Sequence, residues 1–161
     1  MSKILVTGMS GTGKSSVLLE LAHRGHKVVD TDSDEWCEWV NVDGEPDWVW
    51  REERMTALLA SHASGMLFVA GCKSNQGKFY PQFDAVVLLS APSKVILKRI
   101  ETRDTNNYGK HPLERQKILE HLEFVEPLLR ATASFEIDAS KPLLEVADEL
   151  IAIGQLDTRI W

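Results

Sequence analysis

Three features of this 161-residue sequence predict an α/β fold built on a parallel sheet. Short β-branched runs alternate with helical stretches from one end of the chain to the other. Within those stretches the apolar residues recur at three and four positions, as in Val17, Leu18, Leu21 and in Val146, Leu150, Ile153. No repeat, low-complexity tract or linker divides the pattern, so a single domain over residues 1–161 is expected. In order, the strands are Lys3 to Thr7, Lys27 to Asp30, Met66 to Ala70, Ala85 to Ser90 and Phe135 to Asp138. The helices between them run from Lys14 to His23, Asp47 to His62, Ser93 to Arg103, Leu113 to Arg130 and Leu143 to Ile153. Gly25 follows the first helix where a left-handed cap is wanted, and Pro92 and Pro142 stand where helices begin. Two stretches lack periodicity, Asp104 to His111 and Cys72 to Pro81, and both suit loops over a site.

Composition narrows the partners. The net charge of -6 opposes a nucleic-acid backbone or an anionic membrane, either of which would call for a basic footprint. A small ligand is expected instead. No apolar stretch approaches the roughly 20 residues of a membrane span, and the N-terminus reads as a strand rather than a leader, so a cytoplasmic protein is expected. Cys37 and Cys72 have neither metal-ligand spacing nor the density of a disulfide scaffold and read as free thiols, with Cys72 close to a site.

The segment "GMSGTGKSS", residues 8 to 16, follows the first strand and opens the first helix. Gly8, Gly13, Lys14 and Ser15 satisfy G-x-x-x-x-G-K-[ST] in the strand-to-helix context that defines a phosphate-binding loop. Glycines let the backbone curl so that successive N–H groups point inward, and the helix adds its positive dipole end. Ser10, Gly11, Thr12, Gly13 and Ser16 would cradle the phosphates of ATP, Lys14 would reach the β- and γ-phosphates, and Ser15 would place its hydroxyl on Mg²⁺.

"VVDTDSDE", residues 28 to 35, ends the second strand with carboxylates at alternate positions. At the carboxyl edge of an open parallel sheet such groups face the ligand crevice. Asp30 is assigned to a Mg²⁺-bound water and Asp32 to an acceptor hydroxyl, which it would orient or deprotonate. Asp34, ahead of "EWCEWV", reads as a helix N-cap.

These two motifs together resemble the nucleoside-monophosphate-kinase-like P-loop proteins, and shikimate kinase in particular, which has a D-x-D pair after its second strand. The likeness extends through "GEPDWVWREERMTALLASHASGMLFVAGC", similar to that family's substrate-binding segment, here about residues 31–62, and third strand. It implies a three-layer α/β/α P-loop kinase fold, with a five-stranded parallel sheet ordered 2-3-1-4-5 and a short lid at about residues 104–112. The acceptor half departs from the family at Val49 and at "AGC", Ala70 to Cys72, so the expected substrate is a hydroxylated metabolite other than shikimate. Arg51 and Arg54 would supply a shifted clamp, with Gly71 and Lys73 as further acceptor contacts.

"RIETRD", residues 99 to 104, resembles the R-x-x-x-R at the lid entrance of adenylate-kinase-like enzymes. The spacing of four puts Arg99 and Arg103 on one helix face. By that resemblance Arg99 stacks on the base and Arg103 neutralises charge on the transferring phosphoryl group. Of the tryptophans near the acceptor segment, Trp36 is expected to wall the pocket, while Trp39 and Trp48 are expected in the core. Lys110, Asn75, Gln76 and Arg130 are weaker candidates.

The catalytic set is therefore Lys14, Asp32 and Arg103, and the expected activity is ATP- and Mg²⁺-dependent phosphoryl transfer to a small hydroxylated metabolite. A nucleoside monophosphate kinase and a non-enzymatic, ATP-dependent switch remain open alternatives.

Overall fold

The computed structural model describes residues 2–104 and 107–156. The elements run β1 (Ser2–Thr7), α1 (Lys14–His23), β2 (Lys27–Asp30), β3 (Cys37–Val42), β4 (Glu45–Trp50), α2 (Glu52–Ser61) and β5 (Met66–Ala70). A 3-10 helix (Gln76–Gln82) follows, then β6 (Ala85–Ser90), α3 (Ser93–Thr102), α4 (Pro112–Phe124), α5 (Glu126–Thr132), β7 (Phe135–Asp138) and α6 (Leu143–Gly154).

The five-stranded sheet has the order β2-β5-β1-β6-β7, and every pairing in it is parallel. Counting only its own strands, this is the expected 2-3-1-4-5. Alternation along β1 divides the core: Ile4 and Val6 face α1 and α6, where Val17, Leu21, Ala147 and Leu150 are buried. Leu5 faces the opposite layer, with Met55 and Leu59 of α2. Two helix layers around one sheet leave the carboxyl ends of β1, β2 and β5 open at a common edge.

Two elements differ from expectation. The helix expected from Asp47 to His62 is instead β4 followed by the shorter α2, and β4 pairs antiparallel with β3 in a separate hairpin. Its turn is Asp43-Gly44, with φ of 52° and 83°, the two left-handed residues of a type I′ hairpin. Asp34 consequently caps no helix, since the chain turns there into β3. The helix expected from Leu113 to Arg130 breaks at Val125 into α4 and α5, because Pro127 has no N–H to continue the ladder.

Tryptophan placement also differs. Trp39 is 68% exposed and tilts against Trp48 across the hairpin at 5.1 Å between ring centroids, whereas Trp50 is fully buried. Trp36 packs half-buried against the core on the α2 side. A hairpin rather than a helix sets this: Trp39 lies beyond the point where the ribbon leaves the body, and Trp50, paired with Cys37, lies at its base.

Candidate functional site

The turn from β1 into α1 winds tightly enough that Gly8 has φ of 150°, and a Cβ there would lie 2.5 Å from the carbonyl oxygen of Leu89. Only glycine fits so close to β6. Gly13 precedes α1 in the left-handed conformation, and no side chain caps the first N–H groups of the helix. The Thr12 hydroxyl donates to Met9 O at 2.9 Å and braces the loop from within.

Lys14 Nζ donates to Gly8 O at 2.6 Å and to Met9 O at 3.0 Å, which folds its side chain across the mouth of the loop. Burial pushes the Lys14 ammonium below its ordinary value, and nearby Cys72, Asp30 and Asp32 oppose that shift. Next to it, Ser15 Oγ donates to Asp30 Oδ2 at 2.6 Å, and Asp30 Oδ1 accepts the N–H of Asp32 at 3.2 Å. Asp32 accepts in turn from Lys73 Nζ at 3.3 Å. Lys14, Ser15, Asp30, Asp32 and Lys73 thus converge from α1, from the end of β2 and from the loop after β5.

These groups line a cleft of about 670 Å³, which also includes Ser10, Gly11, Thr12, Gly13, Ser16, Gly71, Arg99 and Arg103. At its far end, Asp138 Oδ1 accepts Ser140 N at 2.9 Å and bends the chain after β7. That bend presents Ala139 O to Arg99 Nη2 at 2.6 Å. Arg103 follows α3 and donates to Tyr108 O at 2.6 Å, while its own carbonyl accepts from Lys110 Nζ at 2.6 Å. Partial burial lowers the Arg103 value. Of the expected lid, Thr105 and Asn106 lie outside the described residues. The remainder is a turn closed by Lys110 N to Asn107 O, with Gly109 N donating to Glu114 and His111 Nδ1 capping α4.

Several acceptor candidates lie elsewhere. Arg51 donates to Asp34 O and to Glu38 Oε2, both at 2.9 Å, and Arg54 donates to Glu35 O at 2.7 Å. Both tie α2 to the turn before β3 and line a second depression rather than the phosphate cleft. Trp36 is absent from the cleft wall among the described residues. Arg130 bridges Glu126 and Glu136 instead of approaching the site.

The sequence reading missed Thr102, Tyr108, His121 and Lys141, which line the cleft. Thr102 lies within "RIETRD" and Tyr108 within the expected lid without having been singled out there, whereas His121 of α4 and Lys141 of the turn after β7 belong to no motif and are brought in from separate parts of the chain. Trp50 and Thr31 form a hidden support. Trp50 Nε1 donates to Thr31 Oγ1 at 2.8 Å, and Thr31 Oγ1 donates to Ala70 O at 2.7 Å, with Gly71 packed against both side chains. The Asp-Gly turn and the alternation around it were the signals that could have revealed the hairpin.

Among the described residues no group of three or more His, Cys, Asp and Glu could hold a metal by itself. Nor is any helix among them long and apolar enough to cross a membrane.

Solved structures with this architecture include shikimate kinase from Bacteroides thetaiotaomicron, with a TM-score of 0.67 at 15% identity over 96% of this chain and 99% of that one. Shikimate kinase from Acinetobacter baumannii, in complex with shikimate, gives 0.64 at 22% identity over 95% and 92%. A gluconokinase from Sinorhizobium meliloti 1021 gives 0.58 at 24% identity over 94% and 90%. No curated protein matches the chain in sequence. The profile of the AAA domain family matches residues 4–120, which contain the phosphate loop, the aspartate pair and both cleft arginines. The chain therefore belongs to the AAA domain family, and its fold is that of the P-loop small-molecule kinases.

Proposed function

We propose that this chain is a phosphotransferase that uses ATP and Mg²⁺ to phosphorylate a hydroxyl group of a small metabolite other than shikimate. The observation that carries the reading is the convergence on one cleft of a phosphate-loop lysine, a Ser15–Asp30 pair and an Asp32–Lys73 pair. The solved kinases of like fold, whose names include shikimate kinase and gluconokinase, are consistent with a hydroxylated acceptor.

The chemistry follows from the geometry. Backbone N–H groups of residues 10–16 and the dipole of α1 hold the triphosphate, and Lys14 moves its donors from Gly8 O and Met9 O to the β- and γ-oxygens. Ser15 Oγ and Asp30 Oδ2, two hard oxygen donors 2.6 Å apart, fit a Mg²⁺ ion that keeps most of its waters. When bound, that ion neutralises charge on the β- and γ-phosphates. Asp32 orients the acceptor hydroxyl and takes its proton as the new oxygen–phosphorus bond forms and the bond from the γ-phosphorus to ADP breaks. Arg103 stabilises the equatorial oxygens, and Arg99 holds the base end against the turn after β7. The protein works where ATP and Mg²⁺ are plentiful, as in cytoplasm.

A nucleoside monophosphate acceptor is the less favoured reading. It calls for a bidentate arginine clamp, and Arg51 and Arg54 are already committed to Asp34, Glu35 and Glu38. The deciding experiment follows ADP release with MgATP against a panel of sugars, sugar acids, cyclitols, shikimate and nucleoside monophosphates, relative to water alone. A hydroxylated metabolite should raise turnover at least about a hundredfold over water. Nucleotide binding with no acceptor turnover would point instead to an ATP-dependent switch.

A further inference from the structure

Gln76 is a weaker acceptor candidate in the sequence, and its side chain points inward and is buried to 3% exposure. Its Oε1 accepts the N–H of Lys73 at 2.9 Å, and its Nε2 donates to Thr7 Oγ1 and to Tyr80 OH, each at 3.1 Å. Gln76 N also donates to Lys73 O at 3.2 Å, so backbone and side chain together clamp the turn 73–76. Thr7 is fully buried and immediately precedes Gly8 at the start of the phosphate loop. At the other end of this connection, the Lys73 side chain is only 15% exposed and reaches Asp32, which is 70% exposed to the cleft.

We propose that Gln76 is a positioning residue that fixes Lys73 against Asp32 and so sets the acceptor carboxylate in register with the phosphate loop. Its consequence for turnover rests on the kinase reading; its consequence for Lys73 does not. Lys73 is a flexible four-carbon amine whose aim depends on where its backbone is held. Thr7, Gln76, Lys73 and Asp32 form one connected chain from the central strand β1 to the acceptor side of the cleft. The arrangement ties Asp32, through Lys73, to the strand that leads into the phosphate loop without any direct bond to Lys14.

The test has two readouts on the intact 161-residue chain. Acetylation of individual lysines by sulfosuccinimidyl acetate, mapped by peptide mass spectrometry, reports how tightly each ammonium is held. Gln76→Leu should raise Lys73 labelling about fivefold, the scale of one lost hydrogen bond, with Lys14 labelling changed less than about twofold. Thr7→Val removes the anchor while keeping shape, and should move Lys73 in the same direction by a smaller factor, which guards against misfolding of the leucine variant. With the best acceptor from the panel, Gln76→Leu should lower kcat roughly tenfold while the KM for MgATP holds within about twofold. Unchanged Lys73 labelling in both variants overturns the proposal, as does a KM for MgATP that rises in step with the loss of kcat. If labelling rises as expected and no acceptor is turned over, the positioning role stands and the kinase reading falls.

Discussion

Lys14 carries opposing demands on one ammonium: burial favours its neutral form, while a bound triphosphate favours its charged form. Its value in the folded chain lies below the ordinary 10.5, chiefly through burial. As pH rises through that lowered value the folded protein loses the proton while the unfolded chain keeps it up to 10.5, so this group's contribution to stability rises with pH across that window. Phosphate affinity has the opposite sign. Titration with a fluorescent nucleotide should show affinity weakening as the pH rises through that lowered value, below 10.5, and Lys14→Arg should remove the decline. Two residues apart on the sheet edge, Asp30 and Asp32 should separate cleanly. Asp30→Asn removes the carboxylate beside Ser15 and should raise the Mg²⁺ needed for half-maximal turnover about tenfold, read by metal titration at saturating ATP. Asp32→Asn should instead lower kcat with the acceptor and leave the Mg²⁺ requirement alone. At this scale the phosphate loop was legible because its chemistry lies in consecutive residues. Lys141 and His121 were not, because nothing local distinguishes a cleft-lining lysine or histidine from a solvated one.

The hairpin is the element where local sequence and expected structure parted. An apolar spacing over residues 47–62 suits a helix, yet Asp43-Gly44 supplies two positive-φ residues and β3 and β4 pair across six positions. The turn can be tested directly. A Cβ at Gly44 meets nothing within 4 Å, so Gly44→Ala should cost only the left-handed strain, about 1 kcal/mol. That corresponds to a fall of roughly 2–4 °C in Tm for a chain of this size, measured by thermal melting, with nucleotide affinity unchanged. The shorter 3-10 helix after β5 was equally hidden: Gln76 and Asn75 look like loop polars in sequence, and only the fold turns them inward. Asn75 holds Trp50 from both sides, accepting its N–H at 3.1 Å and donating to its carbonyl at 3.0 Å.

Across the whole molecule, the proposed phosphoryl transfer requires the segment after α3 and the sheet edge to meet at one cleft. Arg103 follows α3, its guanidinium touches Tyr108 in the lid and it lines the phosphate cleft, so closure would carry it toward the transferring group. Arg103→Ala should lower single-turnover transfer on the order of a hundredfold while equilibrium ATP binding changes less than about threefold. A loss confined to ATP affinity, with transfer from saturated protein intact, would assign the residue to ground-state binding. The five parallel strands and the phosphate loop were readable from the chain by itself, because hydrophobic period and glycine geometry are local properties, whereas the strand order and the helix layers came only through the resemblance to the P-loop kinases. Which polar groups meet was decided by tertiary structure alone. Arg51 and Arg54 were drawn away to the turn before β3, Trp39 was left on the surface, and Lys73 was brought across 41 positions of sequence to Asp32. The physical reason is that a hydrogen bond or ion pair acts over only a few ångströms, and the distances between side chains remote in sequence exist only once strands pair and helices pack.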